Sequence, residues 1–200
     1  MAKLDLMSEA LAKKMITCLN IPPSKQDELL CDQLKKKIIW INRKHAIFDF
    51  VLSAFTSKTQ FSYFFEAYPV FSFAVNQSIK EFKNELVFGD ESILNQLFYE
   101  YIFLLVQICP LDDVEKPVYV CVDFSLGELY TKFITRQIEG FLNMNIEIEH
   151  RLSSKTDIYI SDCMLQGLKL QQLICKKPPS ADDWQFFGDA VIRAKQNSKG

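Results

Sequence analysis

Residues 117–161 read PVYVCVDFSLGELYTKFITRQIEGFLNMNIEIEHRLSSKTDIYIS, and within them the hydrophobic period changes from strand to helix and back to strand. Val118, Val120 and Val122, with Tyr119 and Cys121 between them, make a short apolar run of the kind that is buried on both faces of a parallel sheet. Leu126, Leu129, Tyr130, Phe133, Ile134, Gln137, Ile138 and Phe141 then recur at helical spacing. Ile146 and Ile148 alternate with Glu147 and Glu149, and residues 157–160 supply a third strand. The stretch predicts a βαβ unit followed by another strand. In such a unit the turn after the first strand, here 123–128, is where phosphate is bound or transferred, so its residues bear most directly on whether the domain is an enzyme.

That turn is poorly equipped for an anion. A phosphate cradle needs glycines so that backbone N–H groups can close on the ligand. Among Asp123, Ser125 and Gly127, only Gly127 meets that need, which makes the three a degenerate phosphate loop. Cys121 is a nucleophile only if it lies at the strand tip, where a helix N-terminus lowers a thiol pKa. Its neighbours Val120 and Val122 place it inside the strand, and Asp123 repels both a thiolate and a phosphoryl group.

Upstream, residues 1–110 read as about five helices joined by short loops. Ser8 is a candidate cap for a first helix running to Leu19, and Ile21-Pro-Pro-Ser24 is a stop followed by a new cap, with Asp27 and Glu28 in the next first turn. Pro69 ends or kinks a later segment. Gly89 and Asp90 mark a helix end and a fresh cap, and Ile93, Leu94, Leu97, Phe98, Tyr101, Leu104, Leu105 and Ile108 form the stripe of a final helix closed by Pro110. Residues 111–117 read as a polar linker, 118–195 as the sheet domain and 196–200 as a frayed tail. Within the sheet domain, residues 171–175 are a candidate fourth strand, and Ser180 with Asp183 forms a capping box for a last helix through Trp184, Phe187 and Val191. Twelve of the 17 Phe fall between Phe48 and Phe103. They serve as core packing or, in part, as a docking surface.

Composition excludes several classes. Of 200 residues 48% are hydrophobic, enough for real cores, and the formal net charge is -2. Residues 1–116 carry 13 basic against 15 acidic side chains and the rest carry 10 against 10, so neither part has the cationic surface that neutralises nucleic-acid phosphates. Lys35, Lys36, Lys37, Arg43 and Lys44 read as a solvated helix face. Six scattered cysteines without metal-ligand spacing suit a reducing cytoplasm, and the most apolar window, 101–109, is half the length of a membrane span. No metal, cofactor or membrane segment is expected. The two histidines are His45, beside Arg43 and Lys44, and His150, after the alternating strand. Each reads as a surface residue or as a phosphoryl acceptor, and His45 has the better setting for the second role.

The order of these parts resembles the C-terminal half of the Mga/RofA/AtxA family of Gram-positive virulence regulators. The likeness rests on PVYVCVDFSLG at 117–127, TDIYISD at 156–162 and KPPSADDW at 177–184. It implies an α plus α/β chain: a helical bundle like the phosphotransferase regulation domain, then a small parallel-sheet domain like the IIB component of sugar phosphotransferase systems. It also implies a homodimeric cytoplasmic regulator that answers to phosphotransferase phosphocarrier proteins and touches DNA only through domains absent from this chain. An active IIB protein places a phosphorylatable Cys directly after its first strand. Here 123–127 occupy that place or, with a shifted alignment, Cys121 does. A scaffold use of the fold is therefore expected, the alternatives being a phosphocarrier using Cys121 and a sugar-phosphate sensor using Ser125 and Gly127.

Overall fold

The computed structural model describes residues 1–19, 21, 28–48, 52, 60–84, 90–141 and 144–197. The chain divides into two compact units, Met1–Glu115 and Lys116–Gly200. The expected cap at Ser24, the first-turn Asp27 and the helix end at Gly89 lie outside the described residues, as do residues 198–200 of the expected tail.

The first unit is helical among its described residues: α1 (Ala2–Leu19), α2 (Glu28–Ile47), α3 (Phe61–Ala67), α4 (Pro69–Phe82), α5 (Glu91–Ile108) and α6 (Leu111–Val114). Leu4, Met7, Leu11, Met15 and Leu19 recur every three or four residues and bury the face of α1 that packs on α2 and α4. Ser8 does not cap this helix. It lies buried inside it and donates to the Leu4 carbonyl at 2.7 Å, because the helix already begins at Ala2. α3 ends at Ala67 just before Pro69, as expected, and Pro69 also heads α4, where the first turn has no intrahelical partner for the N–H that proline lacks. Asp90 caps α5 through Ser92 N at 3.0 Å. α5 is buried nearly all round, as the central helix of a bundle must be, and packs on α2 and α4.

The stretch 111–117 holds more structure than a linker. Leu111–Val114 forms a helical turn, and Glu115 behind it is buried and accepts from Val70 N at 2.8 Å. A carboxylate 45 residues away thus satisfies an orphan donor at the start of α4. The aromatic surplus is part buried and part exposed. Phe71, Phe98, Tyr99 and Tyr101 are buried, with Phe61, Phe64 and Phe98 in ring contact, whereas Trp40, Phe48, Tyr63, Phe73 and Phe103 are exposed.

The second unit is mixed α/β. Strands β1 (Val118–Val122), β2 (Ile146–Glu149), β3 (Ile158–Ser161) and β4 (Gln171–Ile174) form one parallel sheet in the order β2-β1-β3-β4. α7 (Glu128–Ile138) connects β1 to β2, and α8 (Ala181–Asn197) follows β4. Val118, Val120, Val122, Ile158 and Ile160 share a core with Ile134 and Ile138 of α7 and Phe187, Ala190 and Val191 of α8. Asp157 precedes β3 and is not part of it; its carboxylate accepts from Tyr119 N at 2.9 Å. Ser180 N donates to Asp183 at 2.8 Å and Asp183 N to Ser180 Oγ at 3.4 Å, a reciprocal cap that opens α8. The helix runs on to Asn197, through the first two residues of the expected tail.

Candidate functional site

In this strand order β1 leads to β2 on one side, and the chain then crosses to β3 on the other. The C-terminal ends of β1 and β3 therefore bracket the topological switch point, where open α/β sheets bind ligands. The loop after β1 meets the loop after β3 there. Asp162 Oδ1 accepts from Ser125 N at 3.0 Å, and its Oδ2 accepts the Ser125 hydroxyl. Gly127 has φ +98°, a conformation open to glycine that lets the chain turn into α7.

Three amides of the loop are already used. Phe124 N donates to Thr131 Oγ1 at 3.2 Å, Ser125 N to Asp162, and Gly127 N to the Phe124 carbonyl at 3.0 Å. Asp123, Glu128 and Asp162 add negative charge around the loop. The hydrogen bonds from Ser125 hold the Asp162 carboxyl below its ordinary range, so it is ionised at neutral pH. At Ser125, an incoming anion meets a carboxylate that the chain itself supplies.

Cys121 is 1% exposed. Burial pushes its thiol up to about 11, helped by the charges of Asp123 and Glu149, so at neutral pH it is protonated. The residue sits within the strand, as its valine neighbours indicate. His150 is exposed directly after β2.

In the helical unit the polar side chains converge at a second place. Asn42 of α2 donates to Ser8 Oγ of α1 at 2.9 Å and accepts the hydroxyl of Tyr101 of α5, all three buried. One turn on, His45 Nε2 lies 2.9 Å from Glu100 Oε1, Lys44 Nζ 2.6 Å from Glu100 Oε2, and Gln96 Nε2 donates to Glu100 at 2.8 Å. Gln96 Oε1 accepts Leu52 N at 3.0 Å, which adds Leu52 to the same cluster. Burial raises the Glu100 pKa, and the bonds from His45, Lys44 and Gln96 outweigh it, leaving the carboxyl at about 2. His45 is not a surface residue: its side chain is 2% exposed, because it follows Leu34, Ile38 and Ile41 on the inward face of α2.

The basic run disperses among partners. Lys35 pairs with Asp32, Arg43 with Asp5 through two bonds of 2.8 and 2.6 Å, and Lys44 with Glu100. Lys36 and Lys37 line an open groove of about 460 Å³ over Leu104 and Ile108. Among the described residues no cluster of His, Cys, Asp and Glu can hold a metal ion, and no helix is long and apolar enough to cross a membrane.

The structure brings Ser125 and the Gly127 turn together with Asp162, and it keeps Cys121 and His150 apart from that contact. Sequence reading named the loop but missed Asp162 as its partner, and it missed Glu100, Gln96 and Asn42 around His45. The available signal was periodic: positions 34, 38, 41, 42 and 45 share one helix face. Compared with known proteins, the chain matches no family model and no curated protein.

Proposed function

We propose that this chain is the regulatory and dimerisation portion of a Mga/RofA/AtxA-type transcriptional regulator, cytoplasmic and responsive to sugar phosphotransferase status. In this reading the helical unit is the phosphotransferase-regulation-like part that receives the signal, and the sheet unit is a IIB-like scaffold that has given up phosphoryl transfer. The observation that supports it is the Ser125–Asp162 contact, in which the loop after the first strand of a parallel sheet is held by the chain's own carboxylate. The raised pKa and burial of Cys121 support the same view and weigh against a phosphocarrier.

His45 is the proposed phosphoryl acceptor. Its Nε2 faces Glu100, so phosphorylation at that atom breaks the contact and sets a dianion against a carboxylate. Modified and closed forms of the cluster then exclude each other. Incubation with the general phosphotransferase components, followed by mass spectrometry, tests this. The reading predicts acid-labile phosphate on His45 and none on Cys121. Phosphate on Cys121 would overturn the scaffold role, and an unmodified His45 would remove the link to sugar transport.

A further inference from the structure

We propose that Ser153, on the connection between β2 and β3, is a phosphoryl-acceptor site for a serine kinase that reads basic flanking residues, and that its modification unlatches this connection from the sheet. The site belongs to the sheet unit and does not depend on the role given to His45.

β2 and β3 are not neighbours: β1 lies between them, so residues 150–157 cross the sheet to join them. They cross on the face away from the helices. Lys155 Nζ stands 5.9 Å from the centre of the Tyr119 ring, and Tyr119 alternates with Val118 and Val120, which share a core with α7 and α8. One carboxylate latches the crossing. Glu149, the last residue of β2, accepts the Ser153 hydroxyl at 2.8 Å on Oε1 and the Thr156 hydroxyl on Oε2. Both hydroxyls are used again from the other side: Ser153 Oγ accepts Lys155 N at 3.0 Å, and Thr156 Oγ1 accepts Ser153 N at 2.9 Å. At the far end Asp157 N donates to the Tyr119 carbonyl and the Asp157 carboxylate accepts Tyr119 N, each at 2.9 Å, so that end is paired to β1 without the latch.

Residues 150–156 read HRLSSKT, with Arg151 two positions before Ser153, Lys155 two after it, and no carboxylate in the segment. Arg151, Ser153 and Lys155 are exposed whereas Thr156 is buried, so of the two latched hydroxyls a kinase reaches the serine. The terminal phosphoryl group of a nucleoside triphosphate passes to Ser153 Oγ. Its bond to the diphosphate leaving group breaks, the Oγ–P bond forms, and the hydroxyl proton goes to the base of the kinase. The product cannot keep the latch. A hydroxyl that donated to Glu149 becomes a phosphate of nearly two negative charges, with no proton to give, at a contact made to a carboxylate. Arg151 and Lys155 offer the phosphate the cationic partners that Glu149 denies it, and a Lys155 drawn to it leaves the Tyr119 ring. The closed form pairs Ser153 with Glu149, the modified form pairs it with the flanking cations, and the phosphate charge decides between them.

The test uses the full chain in two steps. Incubation with a basic-directed serine kinase and magnesium ATP, read by fragment mass spectrometry, is expected to place phosphate on Ser153 and to lose that label in Ser153→Ala. A chain carrying phosphoserine encoded at position 153 then reads the switch without the kinase. Hydrogen exchange at the amides of Ser153 and Lys155 is expected to accelerate about tenfold or more, while Val120 and Ile160 in the core strands keep their protection. In Glu149→Gln the phosphoserine has no carboxylate to repel, so its effect over that variant is expected to shrink to within about threefold. Phosphate confined to Ser154, or none on this segment, would overturn the acceptor site. Unchanged exchange with phosphoserine in place would overturn the unlatching, as would equal loss of protection at Val120 and Ile160, which would mean that the whole sheet opens. An acceleration as large in Glu149→Gln as in the parent would show that Glu149 is not the latch.

Discussion

Asp162 and Ser125, 37 residues apart, are joined twice: the carboxylate accepts from the serine amide at 3.0 Å and from its hydroxyl. This contact closes the loop at which a phosphate would enter a fold of this order. Replacement of Asp162 by Ala frees both donors, yet Asp162 is a surface group, so global stability changes little. The local change is larger. Amide exchange at Ser125 is expected to accelerate while the core strands stay protected, and uniform acceleration would show that the contact is not a local clasp.

The Glu100 cluster predicts an acid-sensitive helical unit. The folded pKa of about 2 lies below the ordinary 4.5, so the contribution of Glu100 is complete above pH 4.5 and is lost as pH falls toward 2. A displacement of that size corresponds to about 3 kcal/mol. Urea midpoints measured from pH 7 to pH 3 should fall in the parent and flatten over that window in Glu100→Gln. An unchanged slope in the variant would mean that other carboxylates carry the acid response.

Asn42 holds two buried hydroxyls at once. Asn42→Ala leaves Ser8 and Tyr101 with fewer partners and is expected to cost about 3 kcal/mol, whereas Tyr101→Phe removes one bond for about 1 kcal/mol. In the double variant the cost should fall short of the sum, since a phenylalanine ring has no hydroxyl to need the partner that Asn42 supplied. Strict additivity in chemical denaturation would contradict the network.

Cys121 should be inert in the folded chain. A thiol reagent at neutral pH is expected to modify exposed Cys163 rapidly and Cys121 only at the rate of unfolding, because burial keeps its thiol protonated and covered. Fast labelling at Cys121 would restore it as a candidate nucleophile.

Some of this architecture is readable in one dimension and some is not, and the division has a physical cause. The β1 valines and the capping box at Ser180 are local, so period and spacing announce them. Ser8 reads as a cap because it is a serine ahead of an apolar run, whereas its partner Asn42 is 34 residues away. His45 looks superficial beside Arg43 and Lys44, although its spacing from Leu34, Ile38 and Ile41 places it inward. The pattern of α7 shows two apolar stripes and cannot say which faces the sheet. Asp162 is visible as a residue but not as a partner, since nothing local links it to Ser125. Glu115 is the same case: it sits in a polar run and reads as linker until α4 is seen to begin against it.

The closed loop is tested most directly by titrating ¹⁵N-labelled protein with inorganic phosphate and with a sugar phosphate while following the amides of Ser125, Gly127 and Glu128. The account predicts no saturable shift at these amides up to millimolar ligand, and a measurable response in Asp162→Ala. Saturable binding by the parent chain at micromolar ligand would contradict it and make the switch-point loop a ligand site.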